Sequence, residues 1–187
     1  MSEQPRHGGA LTVLLGGARS GKSALAVRWG HGFDGPVTFV ATATAGDDEM
    51  RRRIDRHRAE RPATWTTIEE PRDVVGALAA TPGDHFVIVD CLTLWLATMV
   101  DAHDDAGVLA AADAIGAAAA ARSAATVVIS NEVGMGIVPA DAASRRYRDL
   151  LGGVNATVTG HAAAAWLVVG GRVLALHAAP SRPMGLV

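Results

Sequence analysis

The chain is 187 residues long and 49% hydrophobic, with a formal net charge of -2 and an isoelectric point near 6.4. That length supports one substantial core and gives no reason to expect two domains, while the lack of a basic excess argues against nucleic acid and for small-molecule partners. A single cysteine, Cys91, excludes an internal disulfide, and no pair of histidines has zinc-site spacing.

One arginine, Arg6, precedes a short apolar run, which is not the pattern of a signal peptide. The longest mostly apolar stretch, residues 86–100, carries Asp90 and is too short to span a bilayer. A cytoplasmic protein without membrane insertion is expected. Residues 1–10 and 177–187 read as loose tails around a single catalytic domain at 11–176.

Residues 11–15 are an apolar run, expected as a strand, that leads into Gly16-Gly17-Ala18-Arg19-Ser20-Gly21-Lys22-Ser23. This octet fits the phosphate-binding pattern G-x-x-x-x-G-K-[ST]. Its glycines permit a curl that aims successive N–H groups at phosphate oxygens, and the helix that follows adds its positive end. Lys22 is expected to reach the β- and γ-phosphates, and Ser23 to ligate Mg²⁺. Lys22 is also the only lysine among the 17 lysines and arginines. Arginine serves everywhere else, which singles out one place that needs a compact ammonium rather than a planar fork.

Residues 23–29 have a helical pattern that stops at a Gly30-His31-Gly32 breaker. A buried strand follows at 37–41. Next comes a charged helix from 46 to about 60, capped by Asp47 or Asp48 and ended by Pro62. Residues 64–68 suit a short edge strand, and 72–80 a helix. The apolar strand 86–89 ends in Asp90 and precedes an apolar helix at 92–100. Residues 104–123 are alanine-rich and helical. Strand 126–130 leads into Asn131-Glu132-Val133-Gly134-Met135-Gly136-Ile137-Val138-Pro139, and a helix covers 140–164. Residues 166–169 and 172–176 form a hairpin turned by Gly170-Gly171. The alternation predicts an α/β fold with a mostly parallel sheet, helices on both faces and an antiparallel C-terminal edge hairpin. Ligands of such sheets sit beyond the carboxyl ends of the strands, where Gly16, Thr42, Asp90 and Asn131 fall.

Asp90 has two readings: an acidic group that holds Mg²⁺ directly or through water, or a strand-end aspartate that caps the next helix. Cys91 has no paired base and reads as a small buried residue. In the charged helix, residues four apart share a face, which lines up Arg53, His57 and Arg61 beside an apolar anchor of Met50 and Ile54. A histidine between arginines stays neutral, with a ring nitrogen free to attack, and the arginines can hold a triphosphate. The same composition also fits a solvated basic face.

Together the Gly16 to Ser23 loop, Ala41-Thr42-Ala43, Asp47-Asp48-Glu49-Met50, Arg53-Ile54 with His57-Arg58 and Arg61-Pro62, Asp90-Cys91-Leu92-Thr93 and the Asn131 to Pro139 segment carry a resemblance. Over about residues 11–176, the chain resembles the bifunctional adenosylcobinamide kinase/adenosylcobinamide-phosphate guanylyltransferase family of cobalamin biosynthesis. The resemblance implies a RecA-like P-loop NTPase domain that forms homo-oligomers, trimers in this family. It implies that adenosylcobinamide is phosphorylated with GTP or ATP. GMP then passes from GTP to adenosylcobinamide phosphate through a guanylyl-histidine, giving adenosyl-GDP-cobinamide. By position that histidine is His57; the residue before it is Arg56. The same matching makes Lys22 catalytic and gives the nucleotide Gly16, Gly17, Ala18, Arg19, Ser20, Gly21, Lys22, Ser23, Ala41, Thr42, Ala43, Arg61, Pro62, Glu69 and Asp90. Ser23 and Asp90 hold Mg²⁺ in this scheme, while Asn131 and Glu132 are site residues without an assigned role. A plain P-loop small-molecule kinase, with the Arg-His-Arg helix as a lid, and a nucleotide-switch module without turnover are the alternatives.

Overall fold

A computed structural model describes residues 10–44, 48, 51, 52, 54, 58 and 61–179. One sheet contains β1 (Leu11–Leu15), β2 (Val37–Ala41), β3 (Thr66–Glu69), β4 (Phe86–Asp90), β5 (Thr126–Ile129), β6 (Ala164–Val169) and β7 (Arg172–Leu176). The order across it is β3-β2-β4-β5-β1-β6-β7, and every pairing is parallel except the β6–β7 hairpin. The helices are α1 (Lys22–His31), α2 (Val74–Ala80), α3 (Leu92–Met99), α4 (Asp105–Ala120) and α5 (Ala142–Gly160). Asp48, Arg51, Arg52, Ile54 and Arg58 are helical as well.

The central strands are apolar at nearly every position because both faces of the sheet are covered. Leu11, Val13, Val40, Val87, Val89 and Val128 pack with residues of α2 to α5. Their neighbours Leu14, Phe39, Ile88, Val127 and Ile129 point the other way and pack with Ala26 of α1. One layer of helices on each side therefore leaves only the strand ends open to a ligand.

Several boundaries differ from expectation, each for a packing reason. Helix α1 passes through Gly30 and His31 and ends on Gly32. Gly30 is a packing residue, since a Cβ there would lie 2.6 Å from Cη2 of Trp65. Strand β3 starts at Thr66 because Trp65 closes a turn, its N–H donating to Pro62 O at 3.1 Å. Helix α5 starts at Ala142, where Asp141 caps it by accepting the Ser144 N–H at 2.8 Å, and it stops at Gly160, which lets β6 begin at Ala164. Residues 1–9 and 180–187 of the expected tails lie outside the described residues.

The C-terminal hairpin turns as expected. Gly170 and Gly171 take φ of 57° and 73°, the left-handed pair that a two-residue hairpin of type I′ requires. That turn folds over the phosphate loop: Gly171 N–H donates to Ser20 O at 2.8 Å.

Candidate functional site

The site is built where β1 ends. Gly16 and Gly21 take φ of 149° and 104°, and Arg19 takes 57°. Gly16 has no room for a side chain, because a Cβ there would lie 2.3 Å from the backbone oxygen of Val168. Gly17, Ala18 and Arg19 form the exposed rim of the curl, whereas Ser20 and Lys22 are buried. Lys22 Nζ donates to Gly16 O at 2.7 Å and Gly17 O at 2.8 Å, with Ser20 Oγ at 3.4 Å. The only ammonium side chain is thereby held inside the loop. Helix α1 starts at Lys22 with Gly21 as its N-cap and no side-chain cap, and its first-turn amides lie beyond the reach of the helix's own carbonyls. A cation, the positive helix end and these amides together can hold an anion.

The strand ends beside the loop carry the other candidates. Ala41 is in register with both Glu69 and Asp90, and Asp90 with Ile129. With β5 between β4 and β1, Asp90 lies about 10 Å across the sheet from the loop's strand, two strand spacings away. It does not cap α3: Cys91 holds the N-cap position and no side chain caps the helix. Asp90 is half-buried at the strand end. Burial pushes the Cys91 thiol up to about 11, with the Asp90 charge adding to the effect and contacts from Leu94 and Thr93 offsetting part of it. Cys91 is therefore a neutral, buried thiol, in line with the sequence reading.

Three residues expected at the nucleotide make contacts within the protein. Thr42 is fully buried, and its hydroxyl donates to Cys91 O at 2.7 Å and accepts from Cys91 N at 2.8 Å. It ties the end of β2 to the segment after β4 and offers no surface to a ligand. The Ala41 side chain is buried in the core, so of the Ala-Thr-Ala triplet only Ala43 is partly exposed. Arg61 does not continue the helical row proposed for Arg53 and His57. It lies in a bend, with its guanidinium 3.6 Å from the centre of the Phe39 ring. Pro62 follows it and is half-buried. Glu69, at the carboxyl end of β3, pairs with Arg58. Met50, Arg53 and His57 lie outside the described residues, as do Asp47 and Glu49.

Sequence reasoning missed the side chains that hold the Asn131 segment. Asn131 N–H donates to Thr93 Oγ1 at 2.9 Å, and Asn131 O accepts from Asn155 Nδ2 at 2.9 Å. Tyr147 OH donates to Thr93 O at 2.7 Å, and burial raises its phenol to about 12. One signal was available: Asn155 is a polar residue on the buried face of α5 formed by Leu151, Val154 and Val158. Beyond Asn131, Glu132 N–H donates to Gly16 O at 3.1 Å. The end of β5 and Lys22 thus converge on one loop carbonyl.

Fold and loop together define a P-loop nucleotide-binding protein of the RecA-like class. Solved structures with this fold include the flagellar accessory protein FlaH from Methanocaldococcus jannaschii, with TM-score 0.50, 15% identity, and coverage of 89% of this chain and 75% of that one. A second solved structure, an ATPase domain, matches with TM-score 0.51 and 11% identity, over 85% of this chain and 69% of that one. A family model described as cobinamide kinase / cobinamide phosphate guanyltransferase matches residues 12–176. The chain belongs to that family. It is 37% identical over 169 residues to the bifunctional adenosylcobalamin biosynthesis protein CobP of Pseudomonas aeruginosa, covering 90% of this chain and 98% of the relative. It is also 37% identical over 175 residues to the bifunctional adenosylcobalamin biosynthesis protein CobU of Salmonella typhimurium, covering 86% and 96%.

Proposed function

We propose that the protein is a bifunctional transferase of cobalamin biosynthesis. It phosphorylates adenosylcobinamide with GTP or ATP and then transfers GMP from GTP to adenosylcobinamide phosphate, releasing pyrophosphate. The observation that carries this reading is the phosphate loop around the buried Lys22, at the open end of a sheet whose family match spans residues 12–176.

In the kinase step, the amides of residues 17–23 and Lys22 hold the β- and γ-phosphates. Lys22 exchanges part of its bonding to Gly16 O and Gly17 O for phosphate oxygens as charge builds on the γ-phosphoryl. Ser23 and the Asp90 carboxylate would supply the oxygen donors that Mg²⁺ prefers. When bound, the ion neutralises phosphate charge.

In the second step His57 attacks the α-phosphorus of GTP. A nitrogen–phosphorus bond forms, the bond to pyrophosphate breaks, and a phosphate oxygen of the cobinamide phosphate then displaces the histidine. Arg58, the next residue in the chain, pairs with Glu69 at the carboxyl end of β3. Arg61, Pro62 and Ala43 flank the nucleotide, whereas Ala41 and Thr42 contribute by holding the strand end in place.

The working form is a homo-oligomer, a trimer on the family pattern. Two apolar surfaces support association: Met135, Ile137 and Val138 beyond β5, and Val169, Val173, Leu174 and Leu176 on the edge hairpin, all exposed. No helix among the described residues is long and apolar enough to cross a membrane. The enzyme acts in the cytoplasm, where nucleoside triphosphates are supplied.

The test is product analysis with cobinamide, GTP or ATP, and Mg²⁺. Wild type gives cobinamide phosphate and then the GDP derivative. Lys22→Ala loses both products, and His57→Ala accumulates the phosphate. Formation of the phosphate alone by wild type would reduce the protein to a plain kinase.

A further inference from the structure

Moving a phosphoryl group onto an alcohol releases a proton that something must accept, whereas moving GMP onto an ionised phosphate does not. On the kinase reading above, the protein therefore needs a base for its first reaction only, and His57 is committed to the second. The described carboxylates at the open edge of the sheet are unequal candidates. Glu69 is paired with Arg58. Glu70 Oε1 accepts the N–H groups of Arg72 and Asp73, at 2.9 Å each. Asp90 ends β4, which β5 separates from the loop's strand.

Glu132 differs from all three. It follows β5, the strand directly beside β1. Its N–H donates to Gly16 O at 3.1 Å, and the same oxygen accepts Lys22 Nζ at 2.7 Å. The backbone of Glu132 is therefore fixed one shared acceptor away from the lysine that grips the phosphates. Its Oε1 accepts the Gly134 N–H at 2.5 Å, which steadies the carboxylate through one oxygen and leaves Oε2 outside that bond. The segment behind it is held by Thr93 and Asn155, so Glu132, a half-buried residue, stands on a braced strand end.

The geometry points to Glu132 as the general base of the kinase step. Its carboxylate takes the proton from the aminopropanol hydroxyl of the corrinoid as that oxygen bonds to the γ-phosphorus. The bond from the γ-phosphorus to the bridging oxygen breaks, the electron pair leaves with the nucleoside diphosphate, and the carboxyl proton passes to water.

Glu132→Gln tests this, because its amide oxygen can still accept the Gly134 N–H while the group no longer takes a proton. The full-length enzyme is assayed twice, with cobinamide plus nucleotide and with pre-formed cobinamide phosphate plus GTP. The kinase kcat should fall about 10²- to 10³-fold, with nucleotide KM and GMP transfer each staying within about threefold of wild type. A kinase rate close to wild type overturns the assignment, as does an equal loss in both reactions, which would mark a structural or nucleotide-binding role. A wild type that turns over neither acceptor refutes the functional reading itself, a result distinct from either.

Discussion

Replacing Gly16 with alanine should damage the loop in a way that can be worked out atom by atom. The new Cβ would lie 2.3 Å from Val168 O, and the residue's φ is 149°. Val168 O is backbone in a paired strand, so no side-chain rotation relieves the contact, and the loop or β6 must shift by about 1 Å. Overpacking of this kind costs about 1–3 kcal/mol, and an unfavourable backbone conformation about 1–3 kcal/mol more. The total of about 2–5 kcal/mol corresponds to a fall in melting temperature of about 5–15 °C for a chain of this size. Because Gly16 O receives both Lys22 Nζ and Glu132 N–H, the shift also moves the phosphate grip, and nucleotide affinity should fall at least about tenfold. Differential scanning calorimetry and a nucleotide titration read both effects. Gly17→Ala is the control: a Cβ there meets nothing within 4 Å, and stability should change by no more than about 0.5 kcal/mol. Wild-type melting and binding by Gly16→Ala would refute the packing argument.

Arg122 donates to the carbonyls of Leu78, Thr81, Pro82 and His85, closing the turn after α2. Arg122→Met should cost about 3–5 kcal/mol in urea unfolding, because four acceptors lose a charged donor together; a loss below about 1 kcal/mol would show that water replaces it. Cys91 gives a pH dependence. Its thiol is raised from 9.0 to about 11, so the folded state keeps the proton where the unfolded state gives it up. The stability this contributes is complete below pH 9 and disappears between 9 and 11, by up to about 2–3 kcal/mol. Comparing wild type with Cys91→Ala across that range measures it, and parallel curves would contradict the assigned burial. Lys22→Ala should abolish nucleotide binding measured by calorimetry while leaving the far-ultraviolet spectrum unchanged, and retained tight binding would remove the loop from the mechanism.

Local signals explain what was legible in the sequence. The strands Leu11–Leu15, Val37–Ala41, Phe86–Asp90 and Thr126–Ile129 are buried on both faces and read as apolar runs. The loop announces itself because glycine and lysine at fixed spacing have few other uses together. What was missed depends on distant partners. Gly30 reads as a breaker until Trp65 is seen filling the space beside it. Thr42 reads as a ligand contact because of its place at a strand end, yet Cys91, 49 residues on, takes both its donor and its acceptor. Arg61 fits a helical row on paper, but it sits in a bend and Phe39 receives its guanidinium. Asn155 and Thr93 hold Asn131 from 24 and 38 residues away, a pairing that no local pattern encodes.

On the proposed mechanism, one phosphate loop serves cleavage at two phosphorus atoms. Incubating the enzyme with Mg²⁺ and GTP labelled at either the α- or the γ-phosphate tests it most directly. The α-label should become attached to the chain in an acid-labile form, disappear in His57→Ala, and be discharged by added cobinamide phosphate. The γ-label should pass to cobinamide without ever residing on the protein. Absence of α-label on the wild-type chain, or undiminished label in His57→Ala, would contradict a guanylyl-histidine on this loop.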